Sequence, residues 1–167
     1  MKITLIGFMG SGKTSVAEHL ARVLNLNMIE MDWLVLHSVG CKDMAELFAK
    51  GGELLLREWE IKLAEELRET DNVVISAGGG VVMNKIILDY LKEKSGKIIF
   101  LHSEFETIKE RIEKDKTPRP LFQNIEEAKE LYEFRLPLYK RYADYEIMTD
   151  GKTVIDIVNE IKTTLNK

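Results

Sequence analysis

The chain has 167 residues, 45% hydrophobic and 31% charged, an ordinary globular composition that excludes disorder as the main state. At roughly 150 residues per domain a single domain spanning residues 1–167 is expected, long enough to bury an ample core. The 24 Lys and Arg against 28 Asp and Glu leave a formal charge of −4, so there is no overall basic footprint for nucleic acid or an anionic membrane.

One cysteine, Cys41, can form no internal disulfide and has no Cys/His zinc spacing around it, so it reads as a structural thiol. The apolar run at the start is too short for a signal-peptide core, and no stretch approaches about 18 uninterrupted apolar residues. A cytoplasmic protein without a membrane partner is expected.

In chain order, Ile3 to Ile6 is a β-rich apolar run ending at Gly7. After a loop to Thr14, Val16, Leu20, Val23 and Leu24 fall at helical spacing. A second short apolar segment, Met28 to Met31, ends at Asp32. Two helical patterns follow, one from about Asp43, which opens an Asp-x-x-Glu capping box, and one from Glu53 to Glu69. Val73 to Ser76 reads as a buried strand running into Gly78-Gly79-Gly80. Then come a helix near Asn84 to Glu93, a strand at Lys97 to His102 and a helix from about Glu104 to Lys114. The segment Asp115 to Asn124 carries Pro118 and Pro120 and reads as a loop. A helix over Ile125 to Tyr142 must be kinked or divided by Pro137. A strand at Tyr145 to Met148 and a helix over Thr153 to Leu165 end the chain. Five short strands separated by helices predict an α/β fold with a parallel sheet covered on both faces.

The segment Gly7-Phe8-Met9-Gly10-Ser11-Gly12-Lys13-Thr14 fits G-x-x-x-x-G-K-[ST] and lies after a strand and before a helix, as its mechanism requires. Gly10, Ser11 and Gly12 bring backbone N–H groups against phosphate oxygens at a helix N-terminus, and Lys13 reaches the β and γ phosphates. Thr14 offers a hydroxyl to Mg²⁺, a hard cation that prefers oxygen. A P-loop nucleotide binder is the result, with Ser15 beside the phosphates. No guanine-reading Asn-Lys-x-Asp is present and the chain leaves no room for coupling domains, which leaves a small-molecule kinase. On the acceptor side, Asp32 follows the second strand, where parallel sheets place ligand-binding residues. Arg57 heads an otherwise apolar helical stripe, and Gly78, Gly79 and Gly80 permit close approach to backbone.

The ordered set Gly7-x-x-Gly10-x-Gly12-Lys13-Thr14, Asp32, Arg57 in Leu56-Arg57-Glu58-Trp59-Glu60, Gly78-Gly79-Gly80, Arg119-Pro120-Leu121 and Arg135-Leu136-Pro137-Leu138-Tyr139 resembles the shikimate kinases over essentially the whole chain. The resemblance implies a three-layer P-loop kinase with a five-stranded parallel sheet, a helical substrate-binding region over about 33–70 and a mobile lid over about 115–124. It implies phosphorylation of the 3-hydroxyl of shikimate by ATP with Mg²⁺, within aromatic amino-acid biosynthesis. It assigns Lys13, Asp32 and Arg119 to catalysis, Asp32, Arg57, Gly78, Gly79, Gly80 and Arg135 to the acceptor, and Arg111 to packing on adenine. Where the family usually has Asp-x-Asp, this chain has Glu30-Met31-Asp32, so Glu30 is expected to reach the metal through water rather than directly. A monomer is the default expectation.

Each residue also has a plainer reading. Asp32 alone would serve as a helix cap, and Arg57 and Arg135 singly would be solvated or salt-bridged. His19, His37 and His102 are scattered over different elements and are not expected to act in catalysis. Leu56, Trp59, Leu63 and Leu67 form a core stripe. Two other functions compete: a related kinase acting on gluconate or a nucleoside monophosphate, and a nucleotide-binding module without transfer activity.

Overall fold

The protein is described by a computed structural model, which covers residues 1–115 and 122–166. The central part of the expected lid, with Pro118, Arg119 and Pro120, lies outside the described residues.

Five strands, β1 (Lys2–Ile6), β2 (Asn27–Glu30), β3 (Val73–Ser76), β4 (Lys97–His102) and β5 (Tyr145–Met148), form one sheet in the order β2-β3-β1-β4-β5. Every pairing is parallel, with Glu30 and Leu5 both opposite Ser76 and Leu5 opposite Ile99. Among the described residues seven helices connect the strands: α1 (Lys13–Leu24), α2 (Met31–Val39), α3 (Met44–Leu67), α4 (Lys85–Lys92), α5 (Phe105–Lys114), α6 (Ile125–Tyr142) and α7 (Val154–Leu165).

Side chains alternate across each strand, and the two faces of the sheet build separate cores. Ile3, Leu5, Val74, Ile99 and Leu101 point to one side and pack against α1 and α7 through Val16, Leu20, Ile157 and Ile161. Ile6, Val73, Ile75, Ile98 and Phe100 point to the other and meet α4, α6 and the end of α3. A third, smaller core of Val35, Cys41, Leu47, Leu56 and Leu63 sits between α2 and α3, so the free thiol of Cys41 is a buried packing group. Of the expected stripe, Leu56, Leu63 and Leu67 are buried, and Trp59 packs partly exposed against this third core.

The expected elements are present, with three differences. Helix α2 begins at Met31 directly from β2, with no side-chain cap, where the sequence suggested only the end of a strand. Helix α6 is not divided at Pro137 but runs through it as one element, with buried Tyr132 and Arg135 before the proline and buried Tyr139 after it. The two patterns expected over 43–69 form one helical segment broken at Gly52, whose φ of 63° and ψ of −162° belong to a region open essentially to glycine alone. No helix among the described residues is long and apolar enough to cross a membrane.

A Cβ on Gly52 would meet nothing within 4 Å, so its cost is purely conformational. Gly52→Ala is expected to lower stability by about 1–3 kcal/mol, read as a lower denaturant midpoint with unchanged slope. An unchanged midpoint would show that the break at Gly52 is not strained.

Candidate active site

The carboxyl ends of all five strands lie at one edge of the sheet, and a cleft of about 280 Å³ opens there. The loop after β1 forms its floor. Gly12, in the left-handed region at φ 90°, caps α1, whose own first turn contains no acidic residue, so its positive end faces the loop. Lys13 donates to the carbonyls of Gly7 at 3.0 Å and Phe8 at 3.1 Å, which holds its ammonium over the loop. Gly10, Gly12, Lys13, Thr14 and Ser15 all line the cleft, whereas Ser11 is buried, with no hydrogen-bond partner for its hydroxyl among the described residues.

Glu30 and Asp32 form the β2 side. The Thr14 hydroxyl donates to Glu30 at 2.7 Å and stands 3.5 Å from the Ser76 hydroxyl. Burial pushes the Glu30 carboxyl up, and Asp32 adds to this; the Thr14 and Ser76 hydrogen bonds and Lys13 oppose it. The extra methylene of Glu30 therefore spans the gap from β2 to the first turn of α1.

Arg111 forms the opposite wall. From α5 it donates to the Gly10 carbonyl at 3.4 Å, the Ser103 hydroxyl at 2.9 Å, and the Thr149 hydroxyl and carbonyl, each at 3.2 Å. The Ser103 and Thr149 hydroxyls also bond to each other. One guanidinium thus ties the phosphate loop to the ends of β4 and β5.

Behind the third wall, Gly78-Gly79-Gly80, lies a charged cluster. Arg57 donates through Nη1 to Glu60 at 2.6 Å and through Nε and Nη2 to Glu53 at 3.2 and 2.7 Å. Glu60 is fully buried, and its second oxygen has no hydrogen-bond partner among the described residues. Burial pushes its carboxyl up while Arg57 works against that. Arg57 in turn loses hydration, but Glu60 and Glu53 more than compensate and hold it charged.

The glycines make this cluster possible. A Cβ on Gly80 would overlap the Arg57 guanidinium, and one on Gly78 would stand 2.6 Å from Glu60 Oε1 and 2.7 Å from Asp32 Oδ1. At both positions the space is filled by the protein's own charged side chains. Gly79 is different: it lines the cleft, and its carbonyl accepts from Tyr139 at 2.5 Å and from Arg135 Nη1 at 3.4 Å. Arg135 is buried, with no hydrogen-bond partner for its Nε among the described residues, and burial pushes its pKa down with the like charge of Arg57 adding to the effect.

The structure therefore brings the phosphate loop, Glu30, Asp32, Gly79 and Arg111 into one cleft, and places Arg57, Gly78, Gly80 and Arg135 against its glycine wall. Arg119 lies outside the described residues. The sequence reading missed Glu53, Glu60 and Tyr139. Glu53 and Glu60 stand four residues before and three after Arg57, a spacing that itself signals pairing on one helix face.

The shikimate kinase family model matches residues 9–166. A shikimate kinase of Streptococcus thermophilus is 40% identical over 166 residues, covering 97% of this chain and 99% of that protein. Among solved structures, the shikimate kinase of Acinetobacter baumannii in complex with shikimate superposes with a TM-score of 0.91 at 30% identity, covering 99% of this chain and 92% of that one. That of Aquifex aeolicus gives 0.83 at 36% identity, covering 99% and 96%. A gluconokinase of Sinorhizobium meliloti gives 0.61 at 20% identity, over 99% of this chain and 91% of that one, a likeness of fold alone. With the family model matching from within the phosphate loop through the glycine wall and both Arg57 and Arg135, this chain belongs to the shikimate kinase family.

Proposed function

We propose that this protein transfers the γ-phosphoryl group of ATP to the 3-hydroxyl of shikimate, releasing shikimate 3-phosphate and ADP. The observation that carries the reading is the joining of a phosphate loop to Asp32 and Gly79 in one cleft, with Arg57 and Arg135 held against its glycine wall. A hydroxylated carboxylic acid suits this arrangement, because guanidinium forks pair with a carboxylate and an aspartate accepts from hydroxyls. A nucleoside monophosphate would need a dianion site and a base-selecting pocket instead.

In this reading Asp32 orients the reacting hydroxyl and receives its proton as the oxygen attacks the γ-phosphorus. The bond to the bridging oxygen breaks and ADP departs. Lys13 holds charge on the transferring group, where positioning and electrostatics supply most of the acceleration. Arg119 is assigned the same task by the family resemblance, and Arg111 packs on the adenine. The helical region of α2 and α3 is the acceptor platform of a single catalytic domain.

The oxygen donors at the cleft floor fit a hard divalent cation. Among the described residues no three His, Cys, Asp or Glu side chains are grouped to cage a metal, which suits an ion held mainly by phosphate oxygens and water. Thr14 would hold Mg²⁺ directly and Glu30 through water. When bound, the ion would neutralise charge on the β and γ phosphates.

A coupled ADP-release assay with Mg-ATP is expected to show turnover with shikimate and none above background with quinate, gluconate or CMP; selective turnover of another acceptor overturns the reading. Lys13→Ala is expected to lower kcat by about a hundredfold or more, and near-normal turnover would remove Lys13 from the mechanism. Arg57→Ala would strand the buried Glu60 charge and endanger the fold, so Arg57→Lys is the informative variant. It keeps a cation beside Glu60, loses the fork, and should raise the KM for shikimate about tenfold with a smaller change in kcat.

A further inference from the structure

The carboxylate position at Arg57 is already occupied by the chain itself. A guanidinium has five N–H donors, and its Nε–Nη2 edge presents two in parallel to an acid. That edge points at one oxygen of Glu53, with 3.2 Å to Nε and 2.7 Å to Nη2. Glu60 takes a donor of Nη1 from the buried side. The left-handed residue Gly52 begins the helical half that carries all three side chains, and sets Glu53, Arg57 and Glu60 on one face.

The two carboxylates are not equivalent. The Glu60 side chain is 0% exposed and wedged against Gly78, so removing its partner would leave a buried charge unpaired. The Glu53 side chain is 53% exposed, and water can replace its partner at little cost. Arg135 also lies within electrostatic reach of Glu53. Glu53 and Glu60 thus already share the field of two arginines, and Asp32 adds a like charge beside Glu60. A further carboxylate entering with a substrate must be repelled or must release one partner of Arg57, and of those two partners Glu53 is the one with solvent to move into.

We propose that Glu53 is an internal competitor for the carboxylate position of Arg57, a specificity-determining residue that an acidic acceptor displaces into solvent and an uncharged acceptor does not. This rests on the reading of Arg57 as the contact for the acceptor's carboxylate. Glu53 lowers the affinity for the acid and keeps the guanidinium aligned and neutralised between turnovers. Glu60 alone suffices to aim Arg57 once the acid is bound.

The test is calorimetric titration of the full-length protein with shikimate and with its uncharged carboxamide, together with steady-state kinetics. Glu53→Gln is expected to bind shikimate about three- to tenfold more tightly and to lower its KM by a similar factor. Its kcat should stay within about twofold and its affinity for the carboxamide unchanged. Glu58→Gln removes an equal charge from an exposed position on the same helix and should leave shikimate affinity unchanged, separating displacement from a general charge effect. Glu53→Ala should shift affinity in the same direction as Glu53→Gln.

The proposal is overturned if both Glu53 variants, folded with an unchanged Tm, bind shikimate no better than the unaltered protein, or if Glu58→Gln gives the same gain. If the unaltered protein neither binds nor phosphorylates shikimate, the proposed function fails and this inference with it; if it does both and only the Glu53 variants disappoint, this inference fails alone.

Discussion

A carboxylate with no solvent exposure at position 60 sets the terms for the acceptor side of this protein. A buried charge is tolerated only when paired and hydrogen-bonded, and Arg57, one helical turn away, supplies the partner at 2.6 Å. The pair can approach the end of β3 only because Gly78 and Gly80 have no side chains: Glu60 fills the space at one and the Arg57 guanidinium the space at the other. Removing the glycines, the glutamate or the arginine would disturb the same object. The glycine triplet is therefore first a seat for charged side chains, and only at Gly79 does it line the cleft.

The sheet order explains how this cluster meets the nucleotide. With β1 at the centre, its loop lies between the ends of β3 and β4, so the elements carrying Glu30, Asp32 and the Arg57 cluster arrive from one side and those carrying Ser103, Arg111 and Thr149 from the other. Glu30 and Asp32 come from β2 and the start of α2, while Ser103 and Thr149 follow β4 and β5. Arg111 stitches the second group to Gly10. Tyr139, from α6, reaches under the glycine wall to the Gly79 carbonyl and stacks on Phe100, so the acceptor wall and the central sheet share one packed contact. Burial pushes the Tyr139 phenol up, which keeps it a neutral donor there. This placement of a site at the carboxyl edge of a parallel sheet is general; here the residues on each side of β1 divide the work.

Much of the fold was legible because its signals are local. Four- to six-residue apolar strands, helical spacing in α1, α4, α5 and α7, and the Asp43 cap all declare themselves within a window of a few residues. Helix α2 was not, since it starts directly from a strand without a capping side chain and is apolar on more than one face, which erases the period. The site was legible where glycine spacing or a loop motif carries the chemistry. Glu53, Glu60 and Tyr139 were hidden because glutamates and tyrosines on helices are ordinarily surface or core residues, and nothing local distinguishes a buried carboxylate from a solvated one.

The phosphate loop can be read from the amino-acid sequence because its physics is complete within one strand, loop and helix, and the alternating parallel architecture and the family because such local patterns recur in a set order along the chain. Only the tertiary structure decided which charges are buried and which side chains the glycines accommodate. It also decided that Glu53 shares Arg57 with Glu60, and that one wall of the cleft is backed by Arg135 and Tyr139. Burial and distance are properties of segments brought together from across the chain. The desolvation that makes Glu60 costly and Glu53 expendable exists only after the chain has folded.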